Sequence, residues 1–181
     1  MNLHFVVDDP SVAAWCRSAN RTVRSQVECP IRFEGMLCHQ PHVTILLGRT
    51  DTLITTYRAL TAVRQLACGL QPFDVQLGEP YLESRDRSFV FSDVKPPDHI
   101  LHARQELGRA LIDKKLLTKP TAITAPHVTL GYTRHPESLD LSSIEPPPAV
   151  LQLDRMRVSR AGALGTCRTT LRTYRLGHSN S

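Results

Sequence analysis

The chain has no glycine-rich phosphate loop, no nucleophile elbow and no dinucleotide fingerprint, which excludes sites built on those devices. It also lacks any apolar stretch of membrane-spanning length. Met1 to Pro10 contains no basic region followed by an apolar run, and Asp8 and Asp9 come early, which argues against a signal peptide. The five cysteines, Cys16, Cys29, Cys38, Cys68 and Cys167, are odd in number and include no Cys-x-x-Cys pair. That argues against a disulfide framework or a zinc ribbon, and for a reducing compartment. The expectation is a cytoplasmic protein without a membrane segment.

The 181 residues, 41% apolar and 22% charged, suit one domain or two small lobes sharing a site. The net charge of +5 favours anionic partners, phosphates included.

The pattern reads as alternating strands and helices. Leu3–Val7 is a short strand, and Ser11 is placed to cap a helix reaching Val27 with Val12, Trp15, Ala19 and Val23 on one face. His42–Leu47 is a strand ended by Gly48. A helix from Asp51 carries Leu53, Tyr57, Leu60, Val63 and Leu66 and stops at Gly69. Phe73–Leu77 and Ser88–Val94 alternate as a hairpin around the charged tip Glu83–Arg87. Asp98 opens a third helix with Ile100, Ala103, Leu107, Leu111 and Leu116. The strand Pro126–Tyr132 follows, then Val150–Ser159 and Thr166–Leu176 around a Gly162–Gly165 turn. The fold class expected is α+β with largely antiparallel strands. A single domain spans residues 1–176, and 177–181 form a flexible tail.

One motif occurs twice. Pro41-His42-Val43-Thr44 and Pro126-His127-Val128-Thr129 lie 85 residues apart (127 − 42), each in a strand reached from a helix. Residues i and i+2 of a strand share a face, about 6.5–7 Å apart. His42 therefore shares a face with Thr44, and His127 with Thr129, while Val43, Ile45, Val128 and Leu130 want burial. If the two strands face one groove, four polar side chains converge. Such a group suits phosphodiester cleavage. A neutral imidazole takes a proton from water or a ribose hydroxyl, and a protonated one gives a proton to the leaving oxygen. The threonine hydroxyls donate to the phosphate oxygens. A single His-x-Thr carries little information; two copies, both after proline and both in strands, carry much more.

These motifs resemble the twin His-x-Thr signature of the 2H phosphoesterase superfamily, which includes RNA 2′,3′-cyclic phosphodiesterases, also called 2′-5′ RNA ligases, and plant and fungal cyclic nucleotide phosphodiesterases. The resemblance extends from Leu3 to about Leu176. It implies a bilobal fold, with two pseudo-symmetric antiparallel sheets and outer helices around a central groove. It also implies four catalytic side chains (His42, Thr44, His127 and Thr129), no metal and no cofactor. The implied reaction opens a 2′,3′-cyclic phosphate to a 2′-phosphate, or cleaves a 2′-5′ or cyclic oligonucleotide linkage. Ligation is the reverse reaction, and a nucleotide-binding module without turnover is the reading from another class. The implied partner is an RNA end or a small nucleotide, with no obligate protein partner. After the second motif the RNA cyclic phosphodiesterases usually carry Arg where this chain has Tyr132. An aromatic there resembles the plant type, in which it lies against the nucleobase. Strict alternation from His127 points Tyr132 to the buried face; a bulge at Gly131 turns it to the groove. Arg134, just beyond the motif, is a candidate phosphate contact.

Other groups have bland readings beside the functional ones. Cys38, His39 and His42 fit no common zinc spacing. His99 and His102, three apart on a helix, read as a solvated face. His4, His135 and His178 have no supporting context. Arg155 and Arg157 share a strand face, as do Arg168, Thr170 and Arg172 on the next strand. They form either a basic floor for an RNA backbone or an exposed sheet face.

Overall fold

The computed structural model describes residues 1–35, 39–84, 88–121, 125–162, 164 and 166–178. Nine strands and three helices follow one another: β1 (Asn2–Val6), α1 (Pro10–Gln26), β2 (His42–Arg49), α2 (Leu53–Gly69), β3 (Phe73–Ser84), β4 (Ser88–Lys95), α3 (Asp98–Asp113), β5 (Thr118–Thr121), β6 (His127–Thr133), β7 (Val150–Leu153), β8 (Arg155–Ala161) and β9 (Cys167–Arg175). Every strand pair is antiparallel.

The strands run in the order β7-β3-β4-β6-β2-β1-β8-β9, with β5 also on β2. The expected two halves, β7-β3-β4-β6 and β2-β1-β8-β9, are thus joined into one sheet, and the join is slight: β2 and β6 pair at Val43 and Val128 alone. The sheet curls about its core. Phe5 of β1 meets Phe73 of β3 edge to face at 5.2 Å, although three strands separate β1 from β3 along the sheet. The curl also explains a departure from the pattern. Val150–Ser159 is not one strand; it breaks at Asp154 into β7 and β8, which pair in opposite halves.

The helices tie the halves together by exchange. α1 connects β1 to β2 yet packs on β6, whereas α3 follows β4 yet packs on β2, the strand with which the next one, β5, also pairs. Polar bonds fix both contacts. Asn20 of α1, 1% exposed, donates to Ile31 O (3.1 Å) and Leu130 O (2.7 Å) and accepts from Phe33 N–H. Arg104 of α3 donates through Nε to Ile45 O at 2.9 Å.

Asn20 bonds to an irregular part of β6. Thr129 pairs with Phe91 and Gly131 with Val90, so Leu130 is an extra, bulged residue. A side chain at Gly131 would begin 2.8 Å from Val23 Cγ1, so only glycine admits α1 this close. The bulge reverses the alternation beyond it. Leu130 is fully buried, and Tyr132 comes to lie opposite Phe89.

Several local expectations shift. Asp9, not Ser11, caps α1: its carboxylate accepts from Ser11 N–H and Val12 N–H, with Pro10 in the first turn. α2 starts at Leu53 rather than Asp51, and Thr52 caps it through a reciprocal pair with Thr55. β2 runs through Gly48, because the missing side chain there leaves space for Leu117. The buried face of α2 is Ala59, Val63 and Ala67, while Leu53 and Tyr57 are 88% and 72% exposed. Counting only large residues misplaced that stripe: alanines at i and i+8, with Val63 between them, let the helix sit close to the sheet. β5 had no signal, since a strand of four residues containing Pro120 shows no periodicity. The backbone is held to α2 through His178, two residues past the expected end of the domain: Gly177 N–H donates to Ala67 O and Cys68 Sγ to His178 O.

Replacing Asn20 with alanine strands two buried carbonyls and one N–H, and is expected to lower stability by about 3 kcal/mol. Urea unfolding checks this; a loss below about 0.5 kcal/mol contradicts the role given to this side chain.

Candidate active site

The seam sets the geometry of the two motifs. With Val43 opposite Val128 and both valines buried, the antiparallel register sets His42 beside Thr129 and Thr44 beside His127, all on the opposite face. His42 and Thr129 line one cavity together with Phe33, Gln40 and Thr166. The structure thus brings the four residues together in a crossed arrangement, each histidine next to the other motif's threonine.

Both imidazoles are held alike. His42 Nδ1 lies 2.9 Å from Gln40 O, and His127 Nδ1 lies 2.9 Å from Ala125 O. A carbonyl only accepts, so Nδ1 carries the proton in each ring and Nε2 is the nitrogen that can gain or lose one. The proline before each histidine separates it from the residue whose carbonyl holds the ring, and restricts that residue to extended backbone.

Their surroundings differ. His127 stacks on Phe91, with centroids 3.8 Å apart and planes at 24°, and Phe91 stacks in turn on Phe89. Tyr81 meets Phe91 edge to face and donates to Asp93 at 2.8 Å; Asp93 stands opposite His127 on β4. Burial pushes the His127 pKa down, against its bond to Ala125 O and the charges of Glu83 and Asp93, and Arg104 adds to the depression. His127 is therefore biased toward the neutral form at pH 7.

His42 faces a polar wall. His4, opposite Thr44 on β1, has its ring 4.7 Å from that of His42. Burial, with His42 and Arg157 nearby, drives the His4 pKa down to about 2, so this ring is neutral. Cys167 Sγ lies 3.6 Å from His42 Nε2 and 3.5 Å from His4 Nδ1. Burial holds that thiol up at about 12. Asn2 Nδ2 lies 3.4 Å from His42 Nε2. Arg157, opposite His4 on β8, bonds Gln40 Oε1 and Thr173 Oγ1. It therefore steadies the residue whose carbonyl holds His42.

The remaining candidates fall out as follows. Tyr132 is turned by the bulge to the side of Phe89, their rings 5.2 Å apart, and is 8% exposed. Arg134 is exposed just past β6. The arginines of the last two strands do not make one floor. Arg157 faces the histidines, Arg155 is paired with Asp8 and Asp154, and Arg172 lies opposite Val158, on the other side of the sheet. His99 and His102 are exposed. His39 Nδ1 accepts from Arg32 N–H, and Cys38 lies outside the described residues, as do 85–87 of the hairpin tip. Among the described residues, no group of three or more His, Cys, Asp or Glu side chains is arranged to hold a metal ion, and no helix is long and apolar enough to cross a membrane. The pattern missed His4, Phe91, Cys167 and Asn2. His4 was findable, since it alternates with Phe5 on a strand whose apolar face is plain.

Comparison with known proteins agrees with this architecture. TT0787 of Thermus thermophilus superposes with a TM-score of 0.67 at 20% identity, over 99% of this chain and 100% of that one. Escherichia coli LigT, in its complex with 3′-AMP, gives 0.64 at 15% identity over 98% of each chain. Kluyveromyces marxianus Usb1 gives 0.53 at 15% over 97% of each. At these identities the likeness is one of fold. No curated protein matches the chain significantly in sequence. The family model of the 2′-5′ RNA ligase superfamily matches residues 10–161, so the chain belongs to that superfamily, the 2H phosphoesterases.

Proposed function

We propose that the protein is a metal-independent phosphodiesterase that opens 2′,3′-cyclic phosphates at RNA ends or on small nucleotides, leaving a 2′-phosphate. The observation that carries the reading is the pair of imidazoles. Each is held through Nδ1 by the carbonyl two residues before it, and each lies beside a threonine hydroxyl across the seam. The cyclic phosphate sits between the rings. His127, kept neutral by burial against Phe91, takes the proton from the attacking water at Nε2. His42, as the imidazolium, gives its Nε2 proton to the departing 3′ oxygen. One proton is taken up and one released, so the pair ends each turnover with its protonation states exchanged and is reset by solvent. Thr44 and Thr129 donate to the non-bridging oxygens as charge builds on them. A second imidazole already supplies the acid, so a metal has no step left to serve.

Tyr132 plays a different part from the base contact expected of it. Buried against Phe89, its ring supports the wall on which Phe91 and His127 rest, and Tyr81 and Phe89, half-buried, are better placed to meet a nucleobase. Arg134 remains a proposed phosphate contact from the rim. LigT has been crystallised with 3′-AMP, ATP, NADP+ and phosphate, which fits a site of this shape receiving small nucleotides. The superfamily's name points to a second reading, joining of RNA ends through a 2′-5′ linkage. The same two histidines serve that reaction run backward.

Turnover of 2′,3′-cyclic CMP in excess EDTA, followed by phosphorus NMR, tests the proposal. The expected product is the 2′-phosphate, and His42→Ala and His127→Ala should each lose at least about 100-fold in kcat, as expected for removing an acid or a base. No turnover of cyclic nucleotide, 2′-5′ or cyclic oligonucleotide substrates, with binding retained in the double mutant, would leave a binding module instead.

The pH dependence has a defined sign. The base must be deprotonated, so the acidic limb of kcat/KM follows the His127 pKa. Phe91→Ala lets water reach the ring, raises that pKa and should move the limb to higher pH. A limb that stays in place in this variant contradicts the assignment of the base.

A further inference from the structure

We propose that the groove between α2 and β9 is a second binding site, which takes single-stranded RNA a few nucleotides away from the phosphate held by the histidines. This rests on the RNA-end reading of the active site and extends it. Nothing in the chemistry of the two histidines requires this surface.

The two elements that flank it carry basic residues and not one Asp or Glu: Arg58 and Arg64 on α2, and Arg168, Arg172 and Arg175 on β9. Of these, Arg64 and Arg172 line the groove, whereas Arg175 stands opposite Arg155 on the other face of β9. The groove is lined by Tyr57, Thr61, Arg64, Arg172, Thr173 and Tyr174, besides Leu60. An adjoining groove on the far side of Tyr57 adds Arg58, Gln65 and Lys114. No carboxylate lines either groove among the described residues.

Tyr57 stands between the two grooves and is 72% exposed, while Arg64 and Arg172 are exposed beside it. Tyr174 anchors the floor through its hydroxyl to Leu60 O. Guanidinium groups flanking an open aromatic ring match the needs of a single strand: phosphates take the cations, and bases of any kind stack on the ring.

The position also fits. From the His42 strand the sheet runs through β1 and β8 to β9, its outer edge, three spacings or about 14 Å away. Arg157 marks that route. It lies opposite His4 and donates to Thr173 Oγ1, and Thr173 lines the groove. An RNA strand whose end is held between the histidines can leave over β9 and come down on Tyr57.

The test compares 2′,3′-cyclic CMP with a decauridylate ending in a 2′,3′-cyclic phosphate, using wild type, Tyr57→Ala and the double variant Arg64→Gln/Arg172→Gln. Both variants should turn over cyclic CMP as wild type does, while KM for the decamer rises at least about fivefold, as loss of one base stack implies. For the arginine variant, the slope of log Kd against log salt for a fluorescein-labelled decamer should fall by about 1.4, or about 0.7 for each phosphate no longer neutralised. An unchanged decamer KM and salt slope in both variants overturns the proposal, as does an equal change for cyclic CMP and decamer. Decamer binding is read by anisotropy with a 3′-hydroxyl decamer that cannot react. Loss of that binding in the variants supports the groove even if wild type turns over neither substrate, in which case the catalytic reading alone has failed.

Discussion

Two strands that pair at one residue, Val43 opposite Val128, determine where all four polar side chains of the motifs go. Burial of the two valines fixes the face. The antiparallel register then sets each histidine beside the other motif's threonine. A slip of one residue would put the histidines into the core and the valines into the groove. So slight a contact is not held by its own hydrogen bonds. It is held because α1 and α3 each pack on the opposite half, Asn20 bonding to the carbonyl of the bulged Leu130 and Arg104 to that of Ile45. The groove stays open because the sheet curls around one shared core, which brings Phe5 to Phe73.

Similar strands do not make identical sites. The backbone treats His42 and His127 alike, through the carbonyls of Gln40 and Ala125. Side chains then separate them: an aromatic stack under His127, and a wall of His4, Asn2 and Cys167 beside His42. The His4 ring is too buried to become charged near neutral pH, so it adds bulk and polarity next to His42 without adding a competing proton. A difference of this kind decides which of the two rings holds the proton when the pair carries only one.

Much of this was legible in the chain. Period-two alternation and the repeated Pro-His-Val-Thr located both site strands and gave the correct face for His42, Thr44, His127 and Thr129. The three helices were found from their apolar stripes and punctuation. What was missed has physical reasons. The α2 stripe was misassigned because small alanines carry the packing there, leaving Leu53 and Tyr57 in solvent. The break at Asp154 depends on the curl of the sheet, a property of the whole. The direction of Tyr132 turned on a bulge that Gly131 hinted at and only the approach of Val23 explains. Phe91 stands beside His127 through the pairing of β4 with β6, distant segments whose register no local pattern reveals; His4 had a local signal in its alternation with Phe5, but its place beside His42 depends on the pairing of β1 with β2.

The proposed mechanism needs two imidazoles in the same tautomer and in opposite charge states around one phosphate. Long-range proton–nitrogen NMR of the histidine rings, recorded with inorganic phosphate bound near neutral pH, measures both properties at once. The mechanism predicts a proton on Nδ1 of both rings, with His127 neutral and His42 charged. A proton on Nε2 alone in either ring, or the same charge state for both, would contradict it.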